Sequence, residues 1–324
     1  MITRKSLIAD SALLAGPPSG RMLLAAVLVA LPLLYLANPA IALLVGGVLA
    51  VASNRSLHTD APKWSKLCLQ SAIVLLGLRL NVETIWTLSA DYALLTTGYV
   101  IITVLAGLAL GAILNAGAVS SQLIASGTAI CGGTAIASLS PLLGARPHET
   151  AVALALVFLL NVVAVFSFPA IGHWLQLSQL EFGLWSAIAI HDTSSVVATA
   201  GIYGSEAQEV ATTIKLGRTL WLIPAVFIAS LVGQRGSAKL RVPGFILLFI
   251  AAAAVGSFLS LPDFLVATAS ALSKGLLVAA LFFVGTELTR STISEIRGRI
   301  AWQAFLLWLM VAPLSLLVIL MLTR

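Results

Sequence analysis

AVALALVFLLNVVAVF (151–166) is the stretch whose reading decides the fold class. Its sixteen residues include one polar side chain, Asn161, and the apolar residues do not alternate with polar ones. A strand of a membrane barrel alternates with a period of two, so this stretch reads as a helix. The apolar run lies within a predicted span of 149–174, longer than the roughly 20 residues needed to cross the hydrocarbon core. A helix suits that setting because it satisfies its own backbone hydrogen bonds where lipid offers none.

Outward from this run the pattern repeats. Of the 324 residues, 60% are hydrophobic and 9% are charged, and the mean hydropathy is +1.06. Soluble domains carry about 25% charged residues, so a chain of this composition has too little polar surface to face water. Spans are predicted at 21–37, 39–53, 65–82, 91–114, 118–143, 149–174, 182–204, 209–233, 243–259, 267–290 and 300–322. The expectation is an all-α polytopic membrane protein of about eleven transmembrane helices. One transporter domain over 21–324 follows a short cytoplasmic tail over 1–20. The tail holds Asp10 and two prolines and makes a poor secretion signal.

The net charge of +6 invites a nucleic-acid reading, which its distribution excludes. The basic residues form short clusters between apolar runs, as topology signals do. Arg4, Lys5 and Arg21, then Arg55, Lys63 and Lys66, then Arg235, Lys239 and Arg241, then Arg290, Arg297 and Arg299 supply 12 of the 18 Lys and Arg residues. With the N-terminus inside, all four clusters face the cytoplasm. Glu83, Asp91, Glu206, Glu209 and Asp263 fall outside, and eleven spans place the C-terminus outside. Spans 118–143 and 182–204 could instead both be re-entrant without changing this parity. Cys68 and Cys131 both lie within apolar segments and make neither a disulfide framework nor a metal site.

Two segments share a loose likeness, SKLCLQSAIVLLGLRLNVETI (65–85) and SKGLLVAALFFVGTELTRSTI (273–293). Inverted five-helix repeats are common in secondary transporters, and an extra first helix followed by five and five is the expected division. That division pairs span 118–143 with span 267–290, so the likeness does not support it.

The chemistry concentrates in three places. SGTAICGGTAIASLSP (126–141) sets Gly127, Thr128, Cys131, Gly132, Gly133 and Thr134 in mid-span. Each interior glycine weakens a helix by about 1 kcal/mol, and the Gly-Gly pair marks a break. A broken helix presents backbone N–H groups and a dipole that bind anions. Close helix packing is the alternative reading of the same small residues. AIAIHDTSSVVATAG (187–201) puts His191 and Asp192 near mid-membrane, followed by Thr193, Ser194 and Ser195. An intramembrane Asp is a functional candidate and His titrates near neutral pH; the alternative is a network that only joins helices. A hydrolase triad is disfavoured, because three residues in series on one helix do not aim a nucleophile at a base.

The third feature is cationic. Lys215 and Arg218, three apart, share a helix face. With Arg79 and Lys274 they make four embedded positive charges against Asp192 and Glu287. Such an excess suits an anionic substrate, although Arg79 and Lys274 can snorkel to the interface. Asn81, Asn115 and Asn161 lie within or near the ends of spans and carry no assigned role.

LLGLRL (75–80), SGTAICGGTAIA (126–137), HDTSSVVATAG (191–201) and FVGTEL (283–288) together resemble the YeiH-like family, to which sulfate export is ascribed. The resemblance covers residues from about 20 to 322. It implies a multi-pass inner-membrane protein distantly similar to sodium/proton antiporters and bile-acid symporters, with inverted five-helix repeats and crossing broken helices. The expected function is therefore a secondary transporter, an exporter of a small anion such as sulfate or a sulfonate. Thr128, Cys131, Gly132, Gly133, Thr134, Thr193, Ser194, Lys215 and Arg218 would bind substrate. His191, Asp192 and Glu287 would serve ion or proton coupling. The alternative is a cation/proton antiporter with Asp192 as ion carrier. Channel and intramembrane enzyme fit less well: no paired aspartates occur and only four histidines, His58, His148, His173 and His191. No enzyme activity, cofactor or metal is expected. The expected partners are the anion, a coupling proton or sodium, the bilayer and further copies of the chain, with no nucleic acid.

Overall fold

Short polar punctuation decides where the apolar helices begin. Ser178 accepts the Glu181 N–H while the Glu181 carboxylate accepts the Ser178 N–H, at 3.1 and 2.7 Å; this reciprocal cap fixes one helix start. Arg146 and Pro147 open another, with Glu149 reaching back to the Arg146 N–H at 2.8 Å. The computed structural model describes residues 38–53, 61–232, 244–259, 261–287, 290 and 298–324. The helices are α1 (Pro39–Ser53), α2 (Ala61–Gly77), α3 (Val82–Asp91), α4 (Ala93–Leu114), α5 (Ala118–Ala129), α6 (Gly133–Leu139) and α7 (Pro147–Trp174). They continue as α8 (Gln179–Ala189), α9 (Thr193–Tyr203), α10 (Ser205–Thr219), α11 (Leu222–Val232), α12 (Gly244–Phe258), α13 (Asp263–Gly285) and α14 (Arg299–Thr323). No strand occurs among the described residues. The chain is an all-helical polytopic membrane protein.

The predicted tail 1–20, the first span 21–37 and most of the basic clusters lie outside the described residues. From residue 39 onward a helix covers each predicted segment, but not each segment is one straight crossing. Five stretches are long and apolar enough to cross alone: Ala93–Leu114, Pro147–Trp174, Ser205–Ser230, Asp263–Gly285 and Arg299–Thr323. The pair α2 and α3, bent by 105°, is a broken span or a re-entrant loop, and adds a sixth crossing only in the first case. Among the described residues this is fewer than the ten expected from residue 39 onward, for two physical reasons. Helices α1 and α12 have 15 residues each, and at 1.5 Å per residue they reach about 22 Å of a core about 30 Å thick. Segments 118–143 and 182–204 are each broken into two short helices.

Helix α3 was expected as loop. Asn81 caps it by accepting the Glu83 N–H at 2.8 Å, and Glu83 itself sits on the positive first turn. None of its residues is buried and Trp86 is largely exposed. The joint between α10 and α11 at Leu220–Trp221 follows from Pro224, which has no N–H to offer the preceding turn.

Between membrane helices, lipid competes with apolar side chains, so packing and interhelical hydrogen bonds hold the assembly. One group joins α1, α2, α12 and α13 around Leu43, Ala72, Ile73, Phe249, Ala280 and Leu281. Here Ser273 Oγ donates to the Ala72 carbonyl at 2.7 Å and Ser65 Oγ donates to the Ala280 carbonyl at 3.3 Å. The bonds are reciprocal: each serine meets the carbonyl seven residues beyond the other serine, as in an antiparallel pair related by a two-fold. These are the two segments whose sequences are alike. A larger core joins α7, α8, α9, α10 and α14, with Phe168 stacked on Trp185 at 4.0 Å between centroids.

Candidate functional site

The two broken segments meet. Helix α5 ends at Ala129 and α8 ends at Ala189, and each leaves carbonyls without helical partners. In α5, Ile130 N–H satisfies Ser126 at 3.0 Å and Gly132 N–H satisfies Gly127 at 2.9 Å. The remaining two carbonyls, Thr128 and Ala129, accept from Arg218, through Nη2 and through Nε at 2.7 Å. In α8, Ile190 N–H satisfies Ser186 at 3.2 Å, and Trp308 Nε1 satisfies Ala189 at 3.1 Å. Arg218 Nη1 donates to Ala187 and Ile188 at 3.0 and 2.5 Å. Lys215 Nζ donates to Ile190 at 2.6 Å and to Ala187 at 3.4 Å.

Arg218 thus ties two helix C-termini together, and the fixed fork of its guanidinium is what lets one side chain reach four carbonyls. Both cations are fully buried. A buried charge requires compensation, and each helix C-end carries about half a negative charge. Tyr99 lies flat against Arg218, with 4.7 Å from Cζ to the ring centroid.

The opposite ends of the breaks face the same crossing. Gly132 adopts φ +62, and a Cβ there would stand 3.1 Å from Val157 Cγ1, 3.2 Å from His191 C and 3.3 Å from Asp192 N. The glycine therefore permits both the turn and the close approach of the two breaks. Asp192 caps α9: its carboxylate accepts the Ser194 N–H at 3.0 Å and the Ser194 hydroxyl. His191 is buried beside Asn161 of α7, whose Oδ1 accepts the His191 N–H at 3.1 Å and lies 3.2 Å from Nδ1.

Most residues singled out from the sequence gather here. Thr128, Cys131, Gly132, His191, Thr193, Ser194, Lys215 and Arg218 are buried. Asp192 and Glu287 are partly exposed and interact electrostatically. Gly133 begins α6 facing Leu154 and Phe158, and Thr134 is exposed, so neither joins the hydrogen-bonded cluster. His191 and Asp192 were read as neighbours within one helix; they instead occupy the break itself. Two of the four embedded cations leave the site. Arg79 sits at the α2–α3 bend, paired with Glu209 at 3.2 Å, and Lys274 is exposed. Asn161, Tyr99 and Trp308 were not singled out as site residues. Asn161 alone had a visible signal, as the single polar residue in 151–166.

The conserved hypothetical protein 698 family model matches residues 21–304. The chain belongs to that family. Among its relatives, a UPF0324 membrane protein of Porphyromonas gingivalis is 43% identical over 88% of this chain and 87% of its own length. A UPF0324 membrane protein of Geobacter sulfurreducens is 40% identical over 85% and 88%. One from Shewanella oneidensis is 39% identical over 88% and 90%. No solved structure matches the chain.

For this UPF0324 family member the crossing offers defined chemistry. Two cations sit at helix C-ends, a carboxylate sits at a helix N-end, and a second carboxylate lies within electrostatic reach. Among the described residues no group of three or more His, Cys, Asp or Glu side chains could hold a metal ion.

Proposed function

We propose that this protein is an ion-coupled secondary transporter of a small anion, such as sulfate or a sulfonate, in the bacterial inner membrane. The observation that carries the reading is the Lys215–Arg218 pair buried at the crossing of two broken helices. The four helix ends meeting there cancel to first order, at about half a charge each. Lys215 and Arg218 against Asp192 then leave one positive charge, and Glu287 balances it only while ionised. A proton on Glu287 and an anion at the crossing therefore restore neutrality together, which couples the two. The anion would draw on Thr128, Cys131, Gly132, Thr193 and Ser194, with Asp192 and Glu287 serving the coupling ion. A proton carried with a monovalent anion makes the cycle electroneutral, so transport is driven by the sum of the anion and proton concentration gradients.

Alternating access in this reading uses eleven spans arranged as inverted repeats, with the N-terminus cytoplasmic. The reciprocal Ser65–Ala280 and Ser273–Ala72 bonds relate span 65–82 to span 267–290, a pairing other than that of the five-and-five division. The test is thermal stabilisation of the detergent-purified protein by an anion panel, since a ligand of the native state raises its melting temperature. Stabilisation by an anion that weakens as pH rises, and that becomes independent of pH in Glu287→Gln, is expected. The absence of stabilisation by every anion would overturn the reading.

One observation favours a second reading. Asp192 and Glu287, both partly exposed, form a carboxylate pair that suits a cation. A cation/proton antiporter predicts stabilisation by sodium alone, lost in Asp192→Asn.

A further inference from the structure

Four buried side-chain atoms on the residues of the crossing have no hydrogen-bond partner among the described residues: Thr128 Oγ1, Asn161 Nδ2, Ser186 Oγ and His191 Nε2. All belong to residues no more than 1% exposed. Buried polar atoms are paired as a rule, and several orphans in one place point to an absent ligand or water. They are contiguous with the cation network. The carbonyl of Thr128 and that of Ala187, next to Ser186, are both held by Arg218. Lys215 holds the carbonyl of Ile190, next to His191.

The orphans divide by chemistry. Asn161 Nδ2 can only donate, and the two hydroxyls can donate or accept. His191 Nε2 differs. Asn161 Oδ1 accepts the His191 backbone N–H, which fixes that atom as the amide oxygen. Nδ1, 3.2 Å from the same oxygen, must then carry a proton. A second ring proton would add a third buried positive charge beside Lys215 and Arg218, which burial disfavours. Nε2 is thus a bare lone pair, a pure acceptor among donors.

Resting on the anion reading above, we infer that the ligand is an oxyanion that carries a proton of its own: its charged oxygens take the donors and its hydroxyl donates to His191 Nε2. Bicarbonate and hydrogen sulfite belong to this class. Their methyl counterparts, acetate and methanesulfinate, have the same charge and similar shape without the hydroxyl. Facing them, Nε2 stays buried and unpaired, which costs about 1–3 kcal/mol, or roughly 5- to 150-fold in affinity.

The experiment is titration of the full-length detergent-solubilised protein with each pair, bicarbonate against acetate in mildly alkaline buffer and hydrogen sulfite against methanesulfinate in mildly acidic buffer. At least about fivefold tighter binding of a hydroxyl-bearing member in one pair, abolished in His191→Phe, is expected. Equal affinity within both pairs overturns this inference and leaves the anion reading standing; absence of binding by all four and by sulfate overturns both. Nitrogen-15 shifts of His191 in the wild-type protein give a readout that needs no variant. Nε2 is unprotonated without ligand and becomes hydrogen-bonded on addition of bicarbonate; a protonated Nε2 in the ligand-free protein also overturns the inference.

Discussion

Replacing Arg218 by alanine tests the central contact of the molecule. The guanidinium satisfies four buried carbonyls, those of Thr128, Ala129, Ala187 and Ile188. In Arg218→Ala only Ala187 keeps a donor, Lys215 Nζ at 3.4 Å. Three carbonyls are left unpaired, each at about 1–3 kcal/mol, so the loss is on the order of 5 kcal/mol. Two helix C-ends also lose a cation, adding about 0.3–1 kcal/mol each. Against a total stability of about 5–15 kcal/mol, the variant should accumulate poorly or melt far below the parent. Arg218→Lys keeps the charge but not the fork, reaches one or two carbonyls, and should fall between the two. The assay is the melting temperature of membrane-extracted protein, read by loss of a monodisperse chromatographic peak after heating. If Arg218→Ala melts within about two degrees of the parent, the carbonyls are not held as described and the argument from helix ends fails.

Two further outcomes follow from the geometry. Gly132→Ala places a Cβ against the backbone of His191 and Asp192 at positive φ; it should cost about 1–3 kcal/mol and lower the melting temperature more than Gly144→Ala, where nothing lies within 4 Å. Ser65→Ala and Ser273→Ala each remove one of two reciprocal bonds, and should destabilise by similar amounts, about 1 kcal/mol. A large effect of one and none of the other in the same melting assay would argue against a two-fold pairing of α2 with α13.

The sequence by itself determined the class of solvent and the class of element. Runs such as 151–166 leave a helix as the open structure that pairs its own backbone in lipid, and the apolar segments mark where the helices lie. It also pointed to residues that gather at the crossing, because Gly-Gly, His-Asp and a Lys-Arg pair are costly in mid-membrane and stand out for that reason. Three things it left to tertiary structure. The number of straight crossings depends on breaks and bends; Asn81 and Pro224 cap and bend their helices through hydrogen bonds and a missing N–H that apolar periodicity does not register. The set of embedded charges depends on pairing: Arg79 meets Glu209 across more than a hundred residues, and Lys274 is exposed. Above all, the compensation of Lys215 and Arg218 is invisible in a string of side chains, because their partners are main-chain carbonyls. Every residue carries a carbonyl, and only the meeting of two helix C-termini decides which of them are free to accept.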